Sequence, residues 1–351
     1  MPRLQEKETC AKCKVGEQAM EKLMTSTSPN MQSSEVCVRP LIGKNLANVV
    51  GDLMDKMRWQ ELIPPGGFVT LKPNFCEYRS DQIENANTSF SFIEAVCEVL
   101  SSRAGRIAIV ESDGLRYQVE EVYGAMGMER LTKRYGVQLV NLTKDKVITF
   151  PEPLLEGFGL PAILGESDCF ISLPKLKTHA LTYFTGALKN QWGCIPRPDR
   201  ILLHKHIHTL ISRINQLLNP RLAIMDGLIA MEGRGPTNGI RRDLSLLLAS
   251  RDLVALDATA MRLVGLEPKW ARHVVEAAAM GVGKLREEDI RVDRDASPPI
   301  APFIPAKKEW TLELMNYLTR YRPFVYHVLL DDSLFNIAKY IATWLRKWRL
   351  S

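Results

Sequence analysis

The chain has 351 residues, 46% hydrophobic and 25% charged, and its 46 basic and 40 acidic side chains leave a formal charge of +6. This composition excludes a disordered chain, and seven irregularly spaced cysteines exclude a disulfide scaffold. No apolar run reaches the about 18 residues needed to span a bilayer, and the start is too polar for a secretory signal, so a cytoplasmic protein is expected.

Residues 1–35 are polar and read as a loose N-terminal arm, and an α/β core domain is expected over 36–290. Apolar residues at helical spacing predict a helix over 44–58. The turn Pro64-Pro65-Gly66-Gly67 precedes a buried strand, FVTLK at 68–72. A helix over 91–103, a strand RIAIV at 106–110, a helix over 121–135 and a strand VQLVNL at 137–142 follow. CFISL at 169–173 is another short apolar run. The patterns then predict a helix over 203–218 and strands RLAIMD at 221–226 and LSLLLAS at 244–250. A helix over 252–265 takes Asp252 as its N-cap, and a further helix covers 268–280. Four prolines mark 291–309 as a linker, and 310–351 reads as two C-terminal helices.

Strands alternate with helices of crossover length. The fold class expected is α/β, a mostly parallel sheet with helices on both faces plus a C-terminal helical extension. Sites in such sheets lie beyond the carboxyl ends of the strands. Those ends carry Lys72-Pro73-Asn74, Glu111-Ser112-Asp113 and Pro174-Lys175-Leu176-Lys177.

The charge is segregated. Residues 61–170 hold 10 basic and 16 acidic side chains, whereas 171–220 hold seven basic ones against Asp199 alone. His179, His204, His206 and His208, four of the six histidines, fall in the second stretch. A loop folded back on itself would gather Lys175, Lys177 and Lys189, and such a cluster attracts phosphate or carboxylate. Its small and apolar neighbours argue against a merely solvated loop. Lys72, Asn74 and Asn190 are further candidates for holding a small anionic ligand.

His204 and His208 are four apart on a predicted helix, and with His179 they suit a divalent metal ion. Structural or phosphate-binding histidines are the plainer alternative. Asp226 and Glu232 form a carboxylate pair fit for acid–base work or for metal. Gly233 and Gly235 lie in a loop that can turn backbone N–H groups on an anion, or can be an ordinary surface turn. The candidate catalytic residues are His179, Lys189, Asp226 and Glu232. Neither GxxxxGK[ST] nor GxGxxG occurs, so an ATPase or an ordinary dinucleotide enzyme is not indicated. Cys10 and Cys13 read as ordinary thiols for want of a matching pair. The last stretch sets Phe335, Tyr340, Trp344 and Trp348 among Lys339, Arg346, Lys347 and Arg349. It suits docking on the body, a homo-oligomer contact or peripheral contact with a membrane.

Taken together, VTLKPNF (69–75), RIAIVESDG (106–114), ISLPKLKTH (171–179), TGALKNQWGCIP (185–196), His204, LAIMDGLIAMEGRGPTNG (222–239) and ASRDLVALDATAMRLVGLEP (249–268) resemble the domain-of-unknown-function family 362. The resemblance covers about 36–268. Many members of that family are described as iron–sulfur proteins because a ferredoxin module is attached. This chain lacks the CxxCxxCxxxC run, so an iron–sulfur cluster is not expected. The His179-x9-Lys189 spacing resembles, more distantly, the lactate racemase family, in which a His and a Lys hold a nickel-bearing, nicotinate-derived cofactor. The rest of that family's motif is absent.

The preferred reading is a metal-dependent enzyme acting on a small anionic substrate or cofactor. The second is a non-catalytic carrier of an anionic metabolite, cofactor or metal, which needs the lysines but no acid–base pair. Nucleic-acid binding is set aside, because no motif for it occurs and the basic stretch follows an acidic one.

Overall fold

The computed structural model describes residues 34–79, 81–307, 310–331 and 334–337. Cys10, Cys13, the arm up to residue 33 and most of the last predicted helix lie outside the described residues. The strands are β1 (Ser34–Pro40), β2 (Phe68–Pro73), β3 (Arg106–Glu111), β4 (Gln138–Asn141), β5 (Val147–Ile148), β6 (Leu160–Pro161), β7 (Cys169–Leu173), β8 (Lys175–His179), β9 (Tyr183–Phe184), β10 (Leu222–Glu232), β11 (Ile240–Ser250) and β12 (Ile290–Arg294). The helices that matter for the site are α1 (Leu46–Lys56), α2 (Phe90–Leu100), α3 (Gly186–Asn190), α4 (Ile207–Leu218), α5 (Leu253–Leu263) and α6 (Arg272–Ala279).

The main sheet runs β12-β1-β11-β10-β7-β2-β3-β4. Neighbours from β10 to β4 are parallel, β1 pairs with β12 in parallel, and β11 runs against both β10 and β1. β8 pairs with the second half of β10 and carries β9. The expected α/β architecture is therefore present.

Strand alternation sorts the apolar residues onto two faces. Ala108 and Val110 of β3 join the core built on α4 and α5, whereas Ile107 and Ile109 join the core built on α1 and α2. Each fully buried aliphatic side chain, such as Leu53 or Ile109, contributes about 1.5–3 kcal/mol. Asp252 caps α5 as expected, accepting from the Ala255 N–H at 2.9 Å.

Several expectations need correction. PKLKTH is not a strand-end loop but strand β8, buried throughout. The single helix expected over 203–218 is a tight 3-10 stretch, Pro198–His206, followed by α4. His204 and His208 consequently do not share one α-helical face. The helix expected over 121–135 breaks at Gly127, whose φ of 65° leaves the helical region. The linker expected over 291–309 starts inside β12, an edge strand whose polar residues give little apolar alternation. β1 has no counterpart among the expected strands, and it fills the position between β11 and β12.

Candidate functional site

β8 sets the site. Its alternation places Lys175, Lys177 and His179 on one side and Leu176 on the other, where Leu176 joins the apolar core. Four lysines surround this region, and their partners divide them into two kinds.

Lys72 and Lys175 have carboxylates. The Lys72 ammonium lies 2.5 Å from Glu111 and 2.8 Å from the Pro73 carbonyl, with both charged side chains buried. Gly193 makes room for that pair, since a Cβ there would overlap the Glu111 carboxylate. Lys175 donates to Asp226 at 2.9 Å, and neither side chain is exposed. Asp226 also accepts from the Ser89 N–H and hydroxyl, each at 2.7 Å, and from the Leu228 N–H at 2.9 Å. Burial pushes the Lys175 ammonium down, and the Asp226 charge opposes this. These four residues are a structural frame, because a buried pair with every lone pair engaged has nothing left for a ligand. Lys72 and Lys175, expected to hold an anion, are thus each engaged by a carboxylate, and Asp226, expected to do acid–base work, is engaged by Lys175, Ser89 and Leu228.

Lys177 and Lys189 lack carboxylates. The Lys177 ammonium donates to the Ala86 carbonyl at 2.7 Å, the Pro236 carbonyl at 3.1 Å and the Cys76 sulfur at 3.1 Å. Lys189, on α3, is part-exposed and has no hydrogen-bond or ion-pair partner among the described residues. Burial first, then the charges of Lys177, Arg200 and Lys72, push its ammonium down to about 7, while Cys76 opposes the shift. Arg200 points its guanidinium at the Ser112 hydroxyl at 3.0 Å and at the carbonyls of Ile195 and Arg197, each at 3.1 Å. The charges of Lys177 and Arg200 thus act on Lys189, with no carboxylate among the groups to which Lys177 and Arg200 hydrogen-bond.

α3 carries Lys189 because Asp257 holds its start. Both oxygens of this buried carboxylate accept backbone N–H groups, from Ala187 at 2.6 Å and Leu188 at 3.0 Å. Burial raises the Asp257 carboxyl to about 7. Gly186 adopts φ of 58°, and a Cβ at that position would collide with the same carboxylate.

His179 and His204 stand beside Lys189. Burial, then the Lys189 and Lys177 charges, hold the His179 imidazole well below its ordinary range. Burial and the Lys189 charge hold His204 at about 3. Both rings are neutral near pH 7. His179 accepts at Nδ1 from the N–H groups of Leu181 at 3.1 Å and Thr182 at 3.3 Å. A neutral ring that accepts at Nδ1 carries its proton on Nε2, so the free nitrogen is a donor and not a metal ligand. His208 lies apart, its ring stacked on that of His273 at 6.2 Å. The three histidines expected as metal ligands do not converge.

Among the described residues, the group that meets metal-ligand spacing is Glu35, Cys37 and Asp293. The Arg39 guanidinium already lies 2.8 Å from Asp293. Burial pushes the Cys37 thiol up to about 12, so it is protonated at neutral pH. The group carries its own counter-charge.

Three further expectations change. Glu232 pairs with Arg242 at 2.6 Å and accepts from the Ile304 N–H at 3.1 Å, so it too is engaged. The N–H groups of Gly233 and Gly235 donate to the carbonyls of Ile304 at 2.8 Å and Gly233 at 2.9 Å, leaving none for an anion. Gly235 is required by packing, since a Cβ would overlap the Thr178 carbonyl. Asn190 donates to the Lys72 carbonyl at 2.8 Å and the Ser172 hydroxyl at 3.0 Å, and Asn74 reaches Asn190 at 3.4 Å. Both support the frame from beneath.

Sequence reasoning missed Cys76, Tyr117, Arg200 and Asp257. Cys76 follows the expected strand end at Asn74 by two residues, a position that the strand-end rule could have flagged. The Tyr117 hydroxyl donates to the Phe75 carbonyl at 3.2 Å, and burial together with Cys76 and Glu111 holds it far above its ordinary range. Asp257, a carboxylate in an otherwise apolar helix, was a second readable signal.

Comparison with known proteins agrees on the family. The domain of unknown function DUF362 matches residues 69–262. The thylakoid-associated protein sll1697 of Synechocystis is 36% identical over 233 residues, 64% of this chain and 72% of that protein. The lactate racemase apoprotein of Thermoanaerobacterium thermosaccharolyticum superposes with a TM-score of 0.41 at 10% identity, covering 68% of this chain and 58% of that one. A likeness of that size transfers no chemistry. Among the described residues, no helix is long and apolar enough to cross a membrane.

Proposed function

The chain belongs to the DUF362 family, and from that premise we propose that it is an enzyme acting on a small phosphate- or carboxylate-bearing substrate at Lys189. The observation that carries this reading is an amine without a partner, held near neutrality beside Lys177 and Arg200. An ammonium cluster without carboxylates is offset most directly by a bound anion. A lysine that titrates near 7 can also accept a proton at working pH. In this reading Lys177, Arg200 and the ammonium form of Lys189 attract the anion, the neutral form of Lys189, still populated near pH 7, takes a proton from the substrate at Nζ, and His179 Nε2–H donates to a substrate oxygen. Asp257 positions Lys189 through α3. No step is routed through a metal, because the His179 ring presents its proton at Nε2.

One observation favours the carrier reading. Asp226 and Glu232, the carboxylates expected to do acid–base work, are both locked in ion pairs. The experiment that separates the two is isothermal titration with inorganic phosphate and a series of small carboxylates, followed by turnover assays on any binder. The proposal expects binding that weakens about tenfold in Lys189→Gln, as for loss of one charge-assisted hydrogen bond. Binding without turnover supports the carrier, and no saturable anion binding removes both.

The thylakoid association stated for the Synechocystis relative supports a peripheral membrane location for this chain as well. The basic, aromatic stretch 335–351 would supply it. Co-sedimentation with anionic vesicles, lost on truncation after residue 334, is the outcome expected.

A further inference from the structure

A cavity of about 660 Å³ opens at the other end of the sheet from Lys189. It lies where β10 begins and β11 ends. The antiparallel register pairs Ala223 with Ser250, so Arg221 and Arg251 come to adjacent positions just beyond the two strand ends. Both line the cavity, together with Lys284 and Arg286 from the turn after α6.

Arg286 lies 3.7 Å from Glu288, and Asp289 also lines the cavity, but the other three cations are poorly compensated. Among the described residues, Arg221 and Lys284 have no side-chain ion pair. For Arg251 the nearest carboxylate is Glu61 at 3.8 Å, and Glu61 is shared with Arg58 at 3.6 Å. Asp252 also lines the cavity, yet its carboxylate is fully engaged. It accepts from the Ser34 hydroxyl at 2.5 Å, the Lys284 N–H at 2.8 Å and the Ala255 N–H at 2.9 Å. Burial, then the Arg221 and Arg58 charges, pulls the Arg251 guanidinium below its ordinary range. Val275, Ala278, Ala279 and Val282, from α6 and the turn after it, add apolar lining.

We infer that this cavity binds an organic phosphate, its phosphate held between Arg221 and Arg251 and its apolar body laid against the α6 side. Planar guanidiniums present paired donors that match phosphate oxygens. The volume falls in the range of about 300–1,000 Å³ usual for small-ligand sites. The inference is independent of the reading at Lys189, since no residue is shared between the two sites.

The test is isothermal titration of the full chain carrying Lys189→Gln, which disables the first site. Adenosine monophosphate, adenosine and inorganic pyrophosphate are the probes. Saturable binding of a phosphate-bearing probe is expected, weakened about tenfold in Arg251→Gln and in Arg221→Gln, a loss of one bidentate contact. Adenosine alone should bind more weakly than its monophosphate. Arg221 has no side-chain partner to lose among the described residues, so Arg221→Gln reports on the ligand even where Arg251→Gln lowers stability. The inference is overturned if neither phosphate-bearing probe binds the Lys189→Gln protein, or if both arginine variants bind the probe as tightly as the Lys189→Gln parent.

Discussion

The ammonium of Lys177 lies 3.1 Å from the sulfur of Cys76, and its other acceptors are two carbonyls. Cys76 is part-exposed, whereas Cys37, Cys97, Cys169 and Cys194 are buried. The thiol therefore sits within the cationic group at the end of β2, where a ligand of that group would cover it.

This placement predicts selective alkylation. Iodoacetamide at neutral pH should modify Cys76 before the four buried cysteines, read by peptide mass mapping. Saturating phosphate should slow the reaction several-fold. Equal rates with and without phosphate would separate Cys76 from the anion site.

Lys189 predicts a particular pH dependence of stability. Its ammonium titrates near 10.5 in the unfolded chain and about 7 in the folded one, so between these values the unfolded state binds more protons. Stability gains a contribution as pH rises from about 7 toward 10.5, and that contribution is absent below 7. Chemical denaturation across this window should show a steeper rise for the wild type than for Lys189→Gln. Identical slopes would place the lysine in ordinary solvent.

The Lys175–Asp226 pair predicts a non-additive mutant cycle. Asp226→Ala leaves a buried ammonium and the Ser89 donors unsatisfied, at a cost of about 3–5 kcal/mol. Lys175→Met with Asp226→Leu removes both charges and should recover much of that loss in denaturant unfolding. Additive losses would show that each residue acts through separate contacts.

Gly193→Ala should behave as an ion-pair mutation although it changes no charge. The added Cβ falls on the Glu111 carboxylate that holds Lys72. A loss of about 1–3 kcal/mol, the usual range for overpacking, is expected in unfolding midpoints. Glu111→Gln should remove most of the further effect of Gly193→Ala, because the clash then meets a group that is no longer paired with Lys72.

Much of the sheet was legible because its strands are short apolar runs closed by polar ends. CFISL coincides with β7, and FVTLK and RIAIV each fall one residue short of β2 and β3. β8 was not legible by the same rule, since two lysines and a histidine on one face look like a loop until carbonyls and Asp226 supply their partners. The segregated charge at 171–220 did locate the site. It could not say which lysines were compensated, because Glu111 and Asp226 arrive from other strands, 39 and 51 residues away in sequence. The histidine set expected to hold a metal is not assembled, for a local reason: two backbone N–H groups after β8 turn the His179 ring to present its proton.

The most direct test of the account is the titration of Lys189 itself. Protein labelled with 13C and 15N in lysine, assigned with Lys189→Arg, reports the ionisation of that side chain by NMR. The account predicts a midpoint at about 7 that moves upward when inorganic phosphate is added, since a bound anion favours the ammonium. A midpoint near 10.5 that phosphate leaves unchanged would contradict it.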